Sequence, residues 1–254
     1  MWDRPSFLDL PARQGKPRRL GLTHVLDRGM PTPTLEALLV QAGDLIDIVK
    51  VGWGIGYVDP TVKERIALFH SAGIMVSLGG TLLEVAAAQG RLTPLRRWGE
   101  EIDVDALEVS NGLQLLSPEE KTNLVRELAG DFTVLAEAGA KDARVPVVPE
   151  RWLAEMEADL AAGARWVIAE GRESGTAGLY RPDGSVRDDL VDLLAARLGG
   201  EHLIFEAPQK MQQAWLIRRL GAGVNLGNVA PEEVLSTETL RLGLRADTAL
   251  PTVS

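Results

Sequence analysis

Eight short, almost wholly apolar runs recur along this 254-residue chain, each separated from the next by a helical pattern. They cover 20–26, 46–51, 74–78, 106–109, 133–137, 166–170, 203–206 and 223–226, and they end near 27, 51, 78, 109, 137, 170, 206 and 226. Consecutive ends lie 20 to 36 residues apart, about one strand-plus-helix unit. Strands covered on both faces lose the polar alternation of a half-solvated sheet, and these runs lack it. The intervening segments carry helix punctuation. A stretch over 60–72 opens at Pro60 and stops at Gly73, and Ser117 stands three residues before Glu120 as a capping-box pair. Helices over 149–162, 183–198 and 209–220 stop at Gly163, Gly199-Gly200 and Gly221, and Pro231 opens the last helix.

Eight such units without a break in composition predict a single α/β domain, a (β/α)8 TIM barrel over 18–254. An irregular arm over 1–17, with Pro5, Pro11 and Pro17, precedes it. An open doubly wound sheet competes, but it ordinarily carries a Gly-rich phosphate turn after an early strand. Gly52-Trp53-Gly54-Ile55-Gly56 lacks the G-x-G-x-x-G spacing, and Gly221-Ala222-Gly223 precedes a strand instead of following one.

Composition narrows the chemistry. The chain has no cysteine, which removes disulfides, thiolate metal sites and a cysteine nucleophile. With 36 acidic against 27 basic residues its formal charge is −9, the wrong sign for a general nucleic-acid binder. No run approaches the ~18 apolar residues of a membrane span, and residues 1–19 hold no signal-peptide apolar core, so the cytoplasm is the expected location.

In a barrel of this kind chemistry gathers where the strands end. Glu108, Glu137, Glu170 and Glu206 close the fourth to seventh runs. A single glutamate at a strand end is ordinarily a solvated loop charge, but four on one rim point to a shared cation or to basic partners. Oxygen ligands without cysteine suit Mg²⁺. Lys50 lies inside an apolar run, where an amine is costly unless it is paired or catalytic, and Lys141 follows the fifth run. Asp27, Asn111 and Asn228 stand at other run ends, and His24 within the first run is placed to face the interior. The 171–178 loop, with Arg172 and Ser174 among three glycines, offers donors to an oxyanion, and Gly227-Asn228 falls where barrels often bind phosphate. No Walker loop, His-Glu-x-x-His or Gly-x-Ser-x-Gly motif is present.

Several blocks resemble the phosphosulfolactate synthase family. They are Gly21-Leu22-Thr23-His24-Val25-Leu26-Asp27-Arg28-Gly29, Lys50-Val51-Gly52-Trp53-Gly54, Gly79-Gly80-Thr81-Leu82-Leu83-Glu84 and Glu108-Val109-Ser110-Asn111-Gly112. Glu137-Ala138-Gly139-Ala140-Lys141, Glu170-Gly171-Arg172-Glu173-Ser174-Gly175, Phe205-Glu206-Ala207-Pro208-Gln209-Lys210 and Asn225-Leu226-Gly227-Asn228-Val229 complete the set, which extends from about residue 18 to 245. The resemblance implies a barrel that adds sulfite to phosphoenolpyruvate with Mg²⁺, giving (2R)-phospho-3-sulfolactate, the step that opens coenzyme M biosynthesis in archaea. It also implies a homo-oligomer, expected to be a trimer. Lys141 would be the proton-donating lysine, with Lys50 binding the substrate anion or serving as the alternative donor. Glu108, Glu137, Glu170 and Glu206 would face the metal; Asp27, Asn111, Arg172, Ser174, Gly227 and Asn228 would face the substrate. Relatives include plant heat-stress-associated proteins, so two other readings stand beside this one: a Schiff-base aldolase-type lyase using Lys50 or Lys141, and a non-catalytic stress protein on the same fold.

Overall fold

Alternation along each strand decides which side chains enter the barrel. The computed structural model describes residues 5, 7–139 and 145–249. Its strands are β1 (Thr23–Asp27), β2 (Ile48–Val51), β3 (Met75–Leu78), β4 (Ala106–Val109), β5 (Thr133–Ala138), β6 (Trp166–Ala169), β7 (Leu203–Glu206) and β8 (Asn225–Val229). All pair in parallel in chain order, and β8 returns to β1 to close the sheet. The outward residues, among them Val49, Val76, Leu107, Val134, Val167 and Phe205, pack under the helices as one large core. The inward residues Leu22, Ile48, Ala106, Leu135, Trp166, Ile168 and Ile204, with Met75 against them, form a separate apolar plug.

The helices are α1 (Thr32–Ala42), α2 (Ile55–Val58), α3 (Val62–Ser71), α4 (Gly80–Ala88), α5 (Leu92–Glu101), α6 (Pro118–Leu128), α7 (Pro149–Ala162), α8 (Asp188–Leu198), α9 (Lys210–Leu220) and α10 (Val234–Arg241). The capping box forms as the sequence indicates: Glu120 N donates to Ser117 Oγ at 3.2 Å, and Ser117 N donates to Glu120 Oε2 at 2.7 Å. Several boundaries move. The helix expected from 183 starts at Asp188, because residues 181–187 form a turn closed by a bridge between Tyr180 and Val186. The segment after β3, read as a rim loop, becomes helical at Gly80. Strand β8 starts at Asn225, not 223, and runs through Gly227 and Asn228, which the sequence reading placed beyond it. Between the Thr23–Leu226 and Val25–Val229 pairs β8 carries one extra residue, and Asn228 there adopts φ +53. Such a bulge re-aims a side chain next to a barrel mouth.

The N-terminal arm is stapled across the barrel's lower end. Lys16 donates to Gly43 O at 2.8 Å and Ala72 O at 3.2 Å, where the last carbonyls of α1 and α3 concentrate negative charge. Arg13 bonds Glu238 on α10, and Arg18 pairs with Asp47 at 2.9 Å. Beneath the arm, buried Arg241 locks the β1–β8 seam by donating to Leu22 O at 2.9 Å, Ala222 O at 2.8 Å and Val224 O at 2.5 Å. Among the described residues, Arg241→Leu leaves Leu22 O to Leu226 N alone, Ala222 O to Arg13 alone, and removes the guanidinium from Val224 O, and we expect a loss of about 2 kcal/mol in guanidinium unfolding with an unchanged m value. A loss below 1 kcal/mol would show that water replaces the seam.

Candidate functional site: a buried lysine among four carboxylates

Two residues beyond the members of the apolar plug, Trp166 apart (it leads to Ile168), the same inward face turns polar. Leu22 leads to His24, Ile48 to Lys50, Met75 to Ser77, Ala106 to Glu108, Leu135 to Glu137, Ile168 to Glu170 and Ile204 to Glu206. All seven polar residues are buried. They form a charged layer above a dry floor, on the side of the barrel where the strands end.

Lys50 stands at its centre. Its Nζ lies 2.9 Å from Glu108 Oε2, 3.1 Å from Glu206 Oε1 and 3.9 Å from Glu137 Oε2. Burial alone would strip the proton from this amine, but Glu108, Glu206 and Glu137 outweigh burial and hold the ammonium well above its ordinary range. Glu108 is fixed from its other side by Gly80 N, which donates to Oε1 at 3.0 Å from the start of α4. Burial pushes its carboxyl up, but Lys50, His24 and the Gly80 N–H together outweigh burial and hold it below the ordinary range. Glu206 is held by Gly171 N at 2.9 Å, and Tyr180 Oη donates to its backbone carbonyl.

Glu137, Glu170 and Glu206 each bring a carboxylate oxygen within 4.8 Å of the others. Burial and then the neighbouring carboxylates push Glu137 up to about 7, and burial with Glu137 and Glu206 holds Glu170 well above the carboxylate range. Among the described residues, buried Glu137 Oε1 and Glu170 Oε2 have no hydrogen-bond partner. Hard oxygen donors, two of them unsatisfied and all crowded by like charge, fit a divalent cation such as Mg²⁺. Glu108 faces Lys50 and lies outside that group of three.

The other expected site residues fall into different places. Asp27 is occupied: Oδ1 accepts from Gly29 N and Met30 N at 2.9 Å, and Oδ2 pairs with Arg65 at 2.9 Å. Asn111 bonds both backbone groups of Leu116 and shapes the loop after β4. Arg172, in the left-handed region with φ +54, donates its amide to Glu170 Oε1 while its side chain is half exposed beside Glu173. Ser174 is exposed and shares a hydrogen bond with Thr176. Asn228 is buried with Oδ1 unpartnered among the described residues, and Gly227 admits the His24 ring, whose Nδ1 would lie 3.2 Å from a Cβ placed there. Asn225 opens β8 at the lower end, accepting from Leu22 N at 2.9 Å, and so does not reach the rim. Lys141 lies outside the described residues.

Sequence reasoning missed Ser77, whose buried Oγ has no partner among the described residues, and gave no role to Glu84, which accepts from Ser110 Oγ at 2.5 Å and from Leu113 N at 2.7 Å to pin the β4 loop. Ser77 was detectable as the polar member two residues after Met75. Glu84 sits one turn into a helix, and no pattern marks which loop it holds.

Residues 11–247 match the family model described as (2R)-phospho-3-sulfolactate synthase (ComA). The chain is 40% identical over 245 residues to the phosphosulfolactate synthase of Methanothermobacter thermautotrophicus, covering 94% of this chain and 95% of that one. It is 36% identical over 244 residues to the phosphosulfolactate synthase of Bacillus subtilis, covering 95% and 97%. The Arabidopsis thaliana protein HEAT-STRESS-ASSOCIATED 32 is 26% identical over 271 residues, covering 93% and 91%. Among solved structures, the YdjI aldolase of Escherichia coli K12 superposes with a TM-score of 0.58 at 12% identity, over 86% of this chain and 78% of that one. At that identity the likeness is one of fold.

Protonation of the layer sets a stability profile for the metal-free chain. Folded Glu137 keeps its proton to about 7, against 4.5 when unfolded, so between these values the folded state binds more protons and stability falls as pH rises. Burial and the Lys50 charge lower folded His24 to about 3 from 6.5, so stability falls as pH drops through that window. We expect the melting temperature to peak between about pH 5 and 6 in calorimetry, with Glu137→Gln flattening the decline on the alkaline side. An alkaline limb unchanged by that substitution would assign the protons elsewhere.

Proposed function

Because the chain belongs to the phosphosulfolactate synthase family, we propose that it is an enzyme joining sulfite to phosphoenolpyruvate in this charged layer to form (2R)-phospho-3-sulfolactate. The observation that carries the reading is the Lys50 ammonium set between Glu108 and Glu206, beside three glutamates whose oxygens converge.

In the proposed reaction the sulfur lone pair of sulfite bonds to C3 of phosphoenolpyruvate. The C2–C3 π electrons move onto C2 and the carboxylate as an aci-carboxylate, and a proton delivered to C2 completes the addition. A Mg²⁺ held by Glu137, Glu170 and Glu206 would supply Lewis-acid stabilisation of charge on the carboxylate. Lys50, its ammonium favoured by the surrounding carboxylates and fixed by two of them, would attract the substrate anion and oppose the same developing charge. Lys141 is the proposed proton donor to C2, by the family resemblance. Arg172 at the edge and Asn228 in the β8 bulge would bind the phosphate or sulfonate oxygens. The Schiff-base alternative needs a neutral amine, and the carboxylates around Lys50 favour its cation.

Purified protein given phosphoenolpyruvate, sulfite and Mg²⁺ is expected to form phosphosulfolactate detectable by ³¹P NMR, with EDTA suppressing it. Folded, Mg²⁺-supplied protein that forms none would overturn the reading, and borohydride trapping of a carbonyl substrate would replace it with the aldolase one. Lys141→Ala is expected to lower kcat about 10²- to 10⁴-fold, the scale of a lost general acid. Near-native turnover in Lys141→Ala, with Lys50→Ala inactive, would reverse the two roles.

A further inference from the structure

Strand β5 outlasts its neighbour. The last β4–β5 rung pairs Val109 with Ala136, yet β5 continues to Ala138, so Glu137 lies beyond the last β4 rung. Its carbonyl is satisfied from outside the barrel: Lys121 Nζ, on α6, donates to Glu137 O at 2.7 Å. The same ammonium contacts Asp159 Oδ2 at 2.7 Å and Glu155 Oε1 at 2.5 Å, both on α7. Lys121 and Asp159 are completely buried. Burial works against the charge on Lys121, but the two carboxylates hold it above its ordinary range. A buried ion pair between two helices contributes little net stability, since apolar residues of like volume commonly serve as well. What an apolar pair cannot do is donate a hydrogen bond to a strand carbonyl.

We propose that Lys121 is a positioning residue, an ammonium strut that fixes the backbone at Glu137 from the outer face of the barrel and so sets where the Glu137 carboxylate meets Glu170 and Glu206. The strut acts on the edge where β5 has left β4, while Glu137 and Ala138 stay paired with Ile168 and Ala169 of β6, four residues before Lys141. Asp159 anchors the ammonium, and Glu155 reaches it from the half-exposed edge of α7. The inference rests on the reading of Glu137 as a member of the reaction site; the strut itself is a matter of backbone geometry.

Three variants separate positioning from charge balance. Lys121→Met removes the donor and leaves Asp159 buried without its cation, so both stability and turnover should fall. Lys121→Arg keeps a donor and a cation and is expected to hold kcat within a few-fold. Lys121→Met with Asp159→Asn restores charge balance and is expected to recover most of the melting temperature, while kcat stays down about 100-fold with KM little changed, the cost of misplacing a site group by an ångström. Full recovery of kcat in the double variant, or native kcat in Lys121→Met, would overturn the strut. Should the native protein itself fail to turn over phosphoenolpyruvate and sulfite, the reaction assignment falls separately. Hydrogen exchange then reads the strut: the amides of 137–139 should exchange at least about tenfold faster in the thermally recovered double variant, and unchanged exchange would overturn it.

Discussion

Among the described residues, the carboxylates inside this barrel gather around one ammonium. Lys50 enters a space walled by apolar strands, where an unpaired cation would lose its proton. Its charge survives because Glu108 and Glu206 lie within about 3 Å, and Lys50 in turn does most to offset burial at Glu108. Backbone donors fix the remaining oxygens: Gly80 N for Glu108 and Gly171 N for Glu206. Glycine is suited to both positions. A Cβ on Gly80 would lie 2.2 Å from Ser110 Oγ, and one on Gly171 would lie 2.9 Å from Glu206 O. The glycines after β3 and β6 therefore belong to the electrostatics, since they let main-chain N–H groups approach the carboxylates.

The architecture separates the tasks of holding and reacting by two residues along each strand. The plug formed by Ile48, Leu135, Ile168 and Ile204 excludes water from below, and the next inward residue on each of these strands is charged. A dry floor lowers the effective dielectric beneath the charges and strengthens their coupling. It also explains why reinforcement arrives from outside the barrel, through Tyr180 to Glu206 O and Lys121 to Glu137 O, since the interior below is filled.

The sequence displays this arrangement unevenly. Eight apolar runs locate eight strands, because burial on both faces leaves a compositional mark, and the closed sheet follows from their count and spacing. The four glutamates and Lys50 are legible for the opposite reason: a charge at the end of an apolar run is conspicuous. Partnership is what leaves no mark. Asp27 looks like a rim residue, but Arg65, from the buried face of α3, claims it, and the 38-residue separation has no periodic signature. The β8 bulge is equally silent, since Asn228 adopts a left-handed conformation that asparagine tolerates, and only the mismatch in pairing with β1 shows it.

The net charge of −9 is a sum over a surface, and the layer obeys a local balance. Among the described residues, four glutamates against one lysine would leave three negative charges in a buried layer if all were ionised. Burial first, and then the neighbouring carboxylates, displace Glu137 and Glu170 upward so that they retain protons, while Glu108, closest to Lys50, is displaced downward. A divalent cation at Glu137, Glu170 and Glu206 would displace those protons and leave the ensemble near neutral. An incoming anion would then meet a site whose acidity is already compensated, with Lys50 as its nearest fixed positive charge among the described residues of the layer. An acidic protein can in this way present a binding site suited to an anionic substrate, and the requirement falls on where its few buried cations stand.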